Sequence, residues 1–205
     1  MIPRPVGDVE TDRVVATAGT PGTVWTVGHW TCPPSVVLDT LASADIDLLV
    51  DVRKMPGSRR SPQFDADEMP TWLEAAGIDY LHVSELGGRR PKQKDVDPTL
   101  NAGWQNASFK NYADYTLTPE FETGLNRLTG MAVDRRVVMM CGEPMPWRCH
   151  RLLISNTLTA RGWAVVHLLN DAEPTQHVLG RWGAPPVVAE DGVVTYPDET
   201  PGDAS

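Results

Sequence analysis

Two thiols and an imidazole lie close together in the segment MCGEPMPWRCHR, residues 140–151. Cys141 ends an apolar run, and Cys149 and His150 open an amphipathic stretch. This order predicts a buried strand, a short loop and the first turn of a helix. Such a junction brings the thiols, the imidazole and the carboxylate of Glu143 close to free backbone N–H groups. These side chains are nucleophiles, bases and soft metal ligands, so the segment predicts a reactive site.

The first interpretation makes Cys141 a nucleophile. The N-terminus of the following helix and the guanidinium of Arg148 are expected to lower the pKa of its thiol. Either His150 or His29 would act as the base, and Glu143 would orient a partner. His29 ends the first predicted strand and is expected to lie beside Cys141. The alternative is that Cys141 is only a small apolar residue of the core.

The second interpretation is a metal site for zinc or iron, with Cys141, Cys149 and His150 as ligands. The spacing of these residues matches no common structural zinc motif, so the sequence assigns neither a metal nor a cofactor. Cys149 also shares a helical face with Leu152 and Leu153, which is equally compatible with a place in the core.

Basic residues form two clusters with no acid between their members. The clusters are Arg53, Lys54, Arg59 and Arg60, and then Arg89, Arg90, Lys92 and Lys94. Guanidinium groups match the geometry of phosphate and carboxylate, so the clusters predict a pocket for an anionic small molecule. The alternative is a pair of solvated loops. The net charge of −9 and the lack of a broad basic face argue against binding of duplex nucleic acid.

The pattern of apolar segments predicts a single α/β domain over residues 23–185. Predicted strands cover residues 24–29, 47–53, 78–83, 136–141 and 164–169. Predicted helices cover residues 34–44, 65–76, 112–128 (with a break near Pro119) and 146–161. Apolar strands that alternate with helices are typical of a Rossmann-like, mainly parallel sheet covered by helices on both faces. The simplest order for five strands is 3-2-1-4-5, which places the switch point between the first and fourth strands.

The two ends of the chain differ from this pattern. Residues 1–22 are predicted to be a flexible arm, and residues 186–205 an acidic tail with a short hairpin around Asp191 and Gly192. No apolar run reaches the roughly 20 residues needed to cross a bilayer. The chain begins without a secretory signal and has three cysteines, an odd number, so we expect a cytoplasmic protein without disulfides.

Unusual polar residues follow the carboxyl ends of the first four predicted strands, where open α/β sheets bind ligands. The segment 84–110 is long for a compact domain, and such loops are often functional. We therefore expect this segment to cover the site as a lid, with Trp104 or Asn106 facing inward.

Five ordered motifs carry a resemblance to a known family. They are TVGHWT (26–31), LVDVRKMPGSRRSPQF (49–64), ELGGRR (85–90), GWQNASFKNYADY (103–115) and MCGEPMPWRCHR (140–151). Over residues 24–170 the chain resembles the domain of unknown function DUF488. The resemblance implies one α/β domain of a bacterial cytoplasmic protein with a shared polar cluster, and it implies no settled activity. Two positions differ from the family's usual pattern: Trp30 replaces a small hydroxyl residue, and Gly142 replaces alanine.

Three functions remain open from the sequence. The leading hypothesis is a cysteine-dependent hydrolase or transferase that acts on a phosphorylated or nucleotide-like small molecule. The second is a metal-dependent hydrolase or redox protein. The third is a non-catalytic nucleotide or nucleic-acid binding module, in which Trp104, Phe109 and Tyr112 stack a base. The residues predicted to bind substrate are Arg53, Arg59, Arg60, Arg89, Arg90, Trp104, Asn106 and Arg148.

Overall fold

The fold is built on one sheet of six strands in the order β3-β2-β4-β1-β5-β6. A computed structural model describes residues 22–57, 59–170 and 172–198. The strands are β1 (Thr23–Gly28), β2 (Leu48–Asp51), β3 (Asp79–His82), β4 (Val137–Cys141), β5 (Ala164–Leu169) and β6 (Ala172–Gln176). The first five run parallel, and β6 pairs antiparallel with β5. The predicted mainly parallel, Rossmann-like architecture is confirmed.

Helices cover both faces of the sheet, as predicted. They are α1 (Pro34–Ala42), α2 (Met69–Glu74), α3 (Ala107–Tyr115), α4 (Pro119–Ala132) and α5 (Arg151–Ala160). One apolar cluster joins α1 and α2 to the sheet, and a second joins α3, α4 and α5 to the opposite face. The break near Pro119 is confirmed, because Pro119 starts α4 and Thr118 caps it. No helix in the described ranges is long and apolar enough to cross a membrane.

The strand order differs from the predicted order by one exchange, because β4 lies between β1 and β2. Residues 137–140 of β4 are fully buried, and an apolar strand of this kind is most stable in the centre of a sheet covered on both sides. The predicted pairing of β1 with β4 is confirmed, with Gly28 opposite Cys141. The predicted pairing of β1 with β2 is wrong, since β2 pairs with β4 instead. Cys141 therefore lies between the strand that leads to His29 and the strand that leads to Arg53.

The folded part of the chain continues beyond residue 185, where the sequence predicted a tail. The predicted hairpin is present as β7 (Val187–Val188) and β8 (Val194–Thr195). Tyr196 is buried, and its N–H lies 3.0 Å from the carbonyl of Leu100. The edge strand β6 was not predicted because it is polar, largely exposed and contains a proline. The predicted arm lies outside the described residues except for Gly22.

Candidate functional site

The carboxyl ends of β1, β2 and β4 bring the predicted site residues to one edge of the sheet. The N–H of His29 donates to the carbonyl of Cys141 over 3.1 Å. Two adjoining cavities of about 400 and 310 Å³, which share Arg89, Glu143 and His150 as lining residues, open here. We call them the carboxyl-edge groove; the lining residues used below are Lys54, Gly88, Arg89, Cys141, Glu143, Arg148, Cys149 and His150.

Cys141, Cys149 and His150 form the thiol cluster of this groove. Their ligand atoms all lie within 4.8 Å of one another. His150 Nδ1 is 3.4 Å from the sulfur of Cys149, and Nε2 is 2.8 Å from the carbonyl of Val52. A carbonyl can only accept, so Nε2 carries the proton and Nδ1 directs a lone pair towards the sulfurs. The backbone of β2 therefore orients this imidazole for use by the cluster.

The chain reaches the cluster through a turn rather than through the predicted helix. A 3₁₀ turn, Pro146–Arg148, is followed by Cys149 in an extended conformation and by His150 as the N-cap of α5. The predicted helix start at residue 146 is therefore five residues too early. Cys149 is only 6% exposed, whereas Cys141 is partly exposed.

The electrostatics of the two thiols reverse the expected assignment. Burial alone would raise the pKa of Cys149, but the hydrogen bond from Cys141 and the charge of Arg151 lower it to about 6. The same hydrogen bond, together with burial, raises the pKa of Cys141 to about 12. The lowered pKa therefore belongs to Cys149 and not, as predicted, to Cys141, because the neighbouring thiol and the charge of Arg151 stabilise the thiolate of Cys149.

His29 lies at this edge but belongs to the other face of the sheet. Its Nδ1 donates to the carbonyl of Trp30 over 2.6 Å, and Nε2 accepts from Arg53 over 3.3 Å. Its ring stacks on Phe64, with 4.1 Å between centroids. Burial, and then the charge of Arg53, lower the pKa of His29 to about 4. Across the described residues, no hydrogen bond joins the imidazole of His29 to the thiol of Cys141, so the thiol–imidazole pair is Cys149 with His150.

Two of the predicted substrate-binding arginines are already committed to protein partners. Arg53 pairs with the buried Asp51 over 2.6 Å and donates to the carbonyl of Phe64. Arg90 pairs with Glu120 over 3.0 Å, donates to backbone carbonyls of the turn at residues 84–87, and lies 3.9 Å from the centroid of the Tyr115 ring. The guanidinium groups of both arginines are therefore already paired within the protein. Arg53 still borders the cavity.

Arg89 and Arg148 differ from those two arginines. Both are exposed and line the groove beside His150. Within residues 22–57, 59–170 and 172–198, neither guanidinium has an ion pair or a hydrogen bond, and the same holds for the ammonium of Lys54. Lys54 belongs to a predicted basic cluster, but it was not among the residues predicted to bind substrate. These three cations are therefore available to an anion.

The other two predicted arginines, Arg59 and Arg60, follow β2 in the same loop. Arg60 lines an adjoining cavity of about 270 Å³ that also contains Trp30. Arg59 is exposed and lines none of these three cavities.

Trp104 and Asn106 have structural positions rather than the predicted inward-facing ones. Trp104 stacks on Phe109 with 4.9 Å between ring centroids and packs against Tyr196. The side chain of Asn106 caps α3 by accepting from Ser108 N at 2.9 Å. The predicted lid segment instead lines the groove with Gly88, Arg89, Ser108 and Phe109. Tyr112, the third residue predicted to stack a base, is buried.

Glu143 borders both cavities of the groove and is half-buried. One of its carboxylate oxygens accepts weakly from Met145 N at 3.4 Å. Its backbone carbonyl accepts from Arg151 and lies against Gly28, where a side chain would collide with it. The backbone of the 143–144 turn is thus held tightly at the border of the two cavities.

Comparison with known proteins gives one match. The model of the family "Domain of unknown function DUF488" matches residues 34–158, more than half of the chain. No curated protein and no solved structure matches. The matched segment includes Arg53, Arg89 and the whole thiol cluster, but not His29.

Proposed function

We propose that this chain, which belongs to the DUF488 family, is a metal-dependent hydrolase of a phosphorylated small molecule. The observation that carries the proposal is the thiol cluster, whose three ligand atoms lie within 4.8 Å of one another beside a groove with unpaired cations. Two sulfurs and one nitrogen are the ligands that zinc and similar soft divalent cations prefer.

The distance between the sulfur of Cys149 and Nδ1 of His150 suits a tetrahedral metal site. Zinc–sulfur bonds of about 2.3 Å and zinc–nitrogen bonds of about 2.1 Å place neighbouring sulfur and nitrogen ligands about 3.6 Å apart. Cys149 Sγ and His150 Nδ1 are 3.4 Å apart. The bond from His150 Nε2 to the carbonyl of Val52 is the second contact that metal-binding histidines usually make. Three protein ligands leave a fourth position, as in catalytic zinc sites.

The neighbouring side chains can perform the remaining steps of hydrolysis. A divalent cation in this cluster would lower the pKa of a bound water and polarise a phosphoryl oxygen. Glu143 would take a proton from the attacking water, and the water oxygen would bond to phosphorus as the bond from phosphorus to the ester oxygen breaks. Glu143 would return the proton to the leaving oxygen. Arg89 and Arg148 would bind the phosphate oxygens, since guanidinium groups match phosphate.

The metal content of the protein tests the first half of this proposal. Protein purified without a histidine tag should contain about one zinc or iron per chain, or should bind one equivalent of Co²⁺ with the absorption bands of thiolate ligation. Cys149→Ser and His150→Ala should lose most of this binding. Cys32→Ser is the matched control, because Cys32 lies outside the cluster. Wild-type protein that binds no metal under these conditions overturns the proposal.

The hydrolysis of p-nitrophenyl phosphate tests the second half. Glu143→Gln should lower kcat by about 10²- to 10⁴-fold, the usual contribution of a general base, while its metal content stays normal. Arg89→Ala should raise KM. Activity that persists without metal and disappears in Cys149→Ser would show that the thiolate acts as a nucleophile and that the metal proposal is wrong.

A further inference from the structure

We infer that the groove has a second subsite, formed by Trp30 and Met55, which binds the planar ring of an aromatic phosphate such as a nucleotide. This inference rests on the proposed function, because the phosphate of the same molecule would lie at the thiol cluster. The cations alone indicate only that the substrate carries a phosphate, whereas this subsite would restrict the substrate to phosphates with an aromatic ring.

Trp30 is held in an unfavourable conformation that presents its ring to solvent. Its φ of 48° lies in the left-handed region, which residues with a side chain rarely adopt. The N–H of Trp30 donates to Gly142 over 3.0 Å, and its carbonyl accepts from His29 over 2.6 Å. The residue is nevertheless 56% exposed. Backbone strain of this kind, imposed by residues of the site itself, is typical of functional positions.

Met55 extends the exposed apolar surface beside this ring. It is 72% exposed, and it lines the cavity of about 270 Å³ that contains Trp30. The same cavity shares Met55, Arg53 and Gly142 with the groove at the thiol cluster. One molecule can therefore contact Trp30 with one end and the cluster with the other.

The chemistry of the two ends identifies the ligand class. An exposed tryptophan beside a flexible thioether stacks a flat ring well, and every nucleobase offers such a face. The unpaired Arg89 and Arg148 lie at the other end and match a phosphate.

Isothermal titration with three probes tests the subsite. We would compare inorganic phosphate, ribose 5-phosphate and AMP on wild-type protein. AMP should bind at least tenfold more tightly than ribose 5-phosphate, which lacks the ring. Trp30→Gly should abolish this preference, because it removes the ring and also relieves the left-handed strain. Trp30→Phe should keep most of it. Val133→Ala, an equally exposed apolar residue far from the groove, is the matched control.

The outcomes separate the two proposals. If inorganic phosphate and ribose 5-phosphate bind but AMP binds no more tightly, or if Trp30→Gly keeps the preference, the aromatic subsite is wrong and the anion site stands. If none of the three probes binds, the anion site of the proposed function fails and the subsite fails with it. If the preference for AMP disappears in Trp30→Gly and phosphate binding is unchanged, the subsite is established.

Discussion

Two polar regions of this molecule contain similar residues but differ in how fully their hydrogen bonds are satisfied. The first is a buried histidine relay formed by Thr26, His167, His177, Asn156 and Tyr196. Its successive contacts measure 2.9, 3.0, 2.8 and 2.7 Å. The second is the carboxyl-edge groove, where exposed cations border a cluster of thiols and an imidazole.

The relay has only one consistent arrangement of protons. Asn156 donates its amide to Tyr196, so its oxygen accepts from His177 Nε2. His177 Nδ1 then accepts from His167 Nε2, and His167 Nδ1 accepts from the hydroxyl of Thr26. Thr26 in turn accepts from Arg151. Every ring nitrogen of the two histidines has a partner, so neither imidazole is left to bind a ligand.

In the carboxyl-edge groove, by contrast, not every polar side chain has a hydrogen-bond partner within the protein. Arg89 and Arg148 have no partner among the described residues, and Trp30 and Arg89 both adopt positive φ. The comparison teaches that residue types alone do not distinguish a structural polar network from a binding site. In this molecule the two regions differ in their exposed, unpaired cations and in backbone strain, which tends to collect at functional sites.

The largest expected effect concerns the pH dependence of the relay. Burial lowers the pKa of His167 to about 3 and that of His177 to about 4, whereas unfolded histidines titrate near 6.5. Below pH 6.5 the unfolded state therefore gains protons that the folded state does not. The free energy of unfolding should fall with slopes approaching about 1.4 kcal/mol per pH unit for each histidine.

Urea unfolding at pH 7.5 and pH 5 measures this loss. The two histidines together should lower the free energy of unfolding by about 4 kcal/mol between these values. His29, whose pKa is lowered in the same way, should add about 2 kcal/mol, so His177→Gln should keep roughly two-thirds of the histidine-linked loss. Equal stability at both pH values would mean that the relay histidines are not held neutral.

A substitution in each region should separate them at a fixed pH. His177→Ala removes one ring of the relay and leaves His167 Nε2 and Asn156 Oδ1 buried without partners. We expect a loss of about 3 kcal/mol in the free energy of unfolding. Arg89→Ala in the groove should change it by less than about 0.5 kcal/mol. Similar losses in both variants would refute the distinction between the two regions.

The local parts of this fold could be predicted from the sequence. The five predicted strands differ from β1 to β5 by two residues or fewer at each end, because each is an apolar run. The position of β4 could not be predicted, since strand pairing depends on how whole faces pack and not on a local pattern. The acidic tail was misjudged for the same reason: the burial of Tyr196 depends on the distant Leu100 and Asn101.

The site was predictable to a similar extent. Cys149 and His150 are neighbours in sequence at a strand–helix junction, so their proximity follows from the chain itself. Arg89 and Arg90 are also neighbours, yet one is unpaired and the other is fixed by Glu120 on α4. No local signal separates them, because the deciding carboxylate lies 30 residues away.

The smallest expected effect tests how the groove is assembled around His150. Gly88 faces this imidazole, and a Cβ at Gly88 would lie 2.7 Å from Nδ1. Gly88→Ala should therefore displace the ring from the carbonyl of Val52 and from Cys149. We expect a loss of about 2 kcal/mol in the free energy of unfolding and a clear loss of Co²⁺ affinity.

Gly130→Ala is the matched control, because nothing lies within 4 Å of its added Cβ. That control should stabilise α4 by up to about 1 kcal/mol and leave Co²⁺ binding unchanged. If Gly88→Ala keeps both stability and Co²⁺ affinity, His150 does not depend on this close approach, and the groove is less tightly defined than the relay.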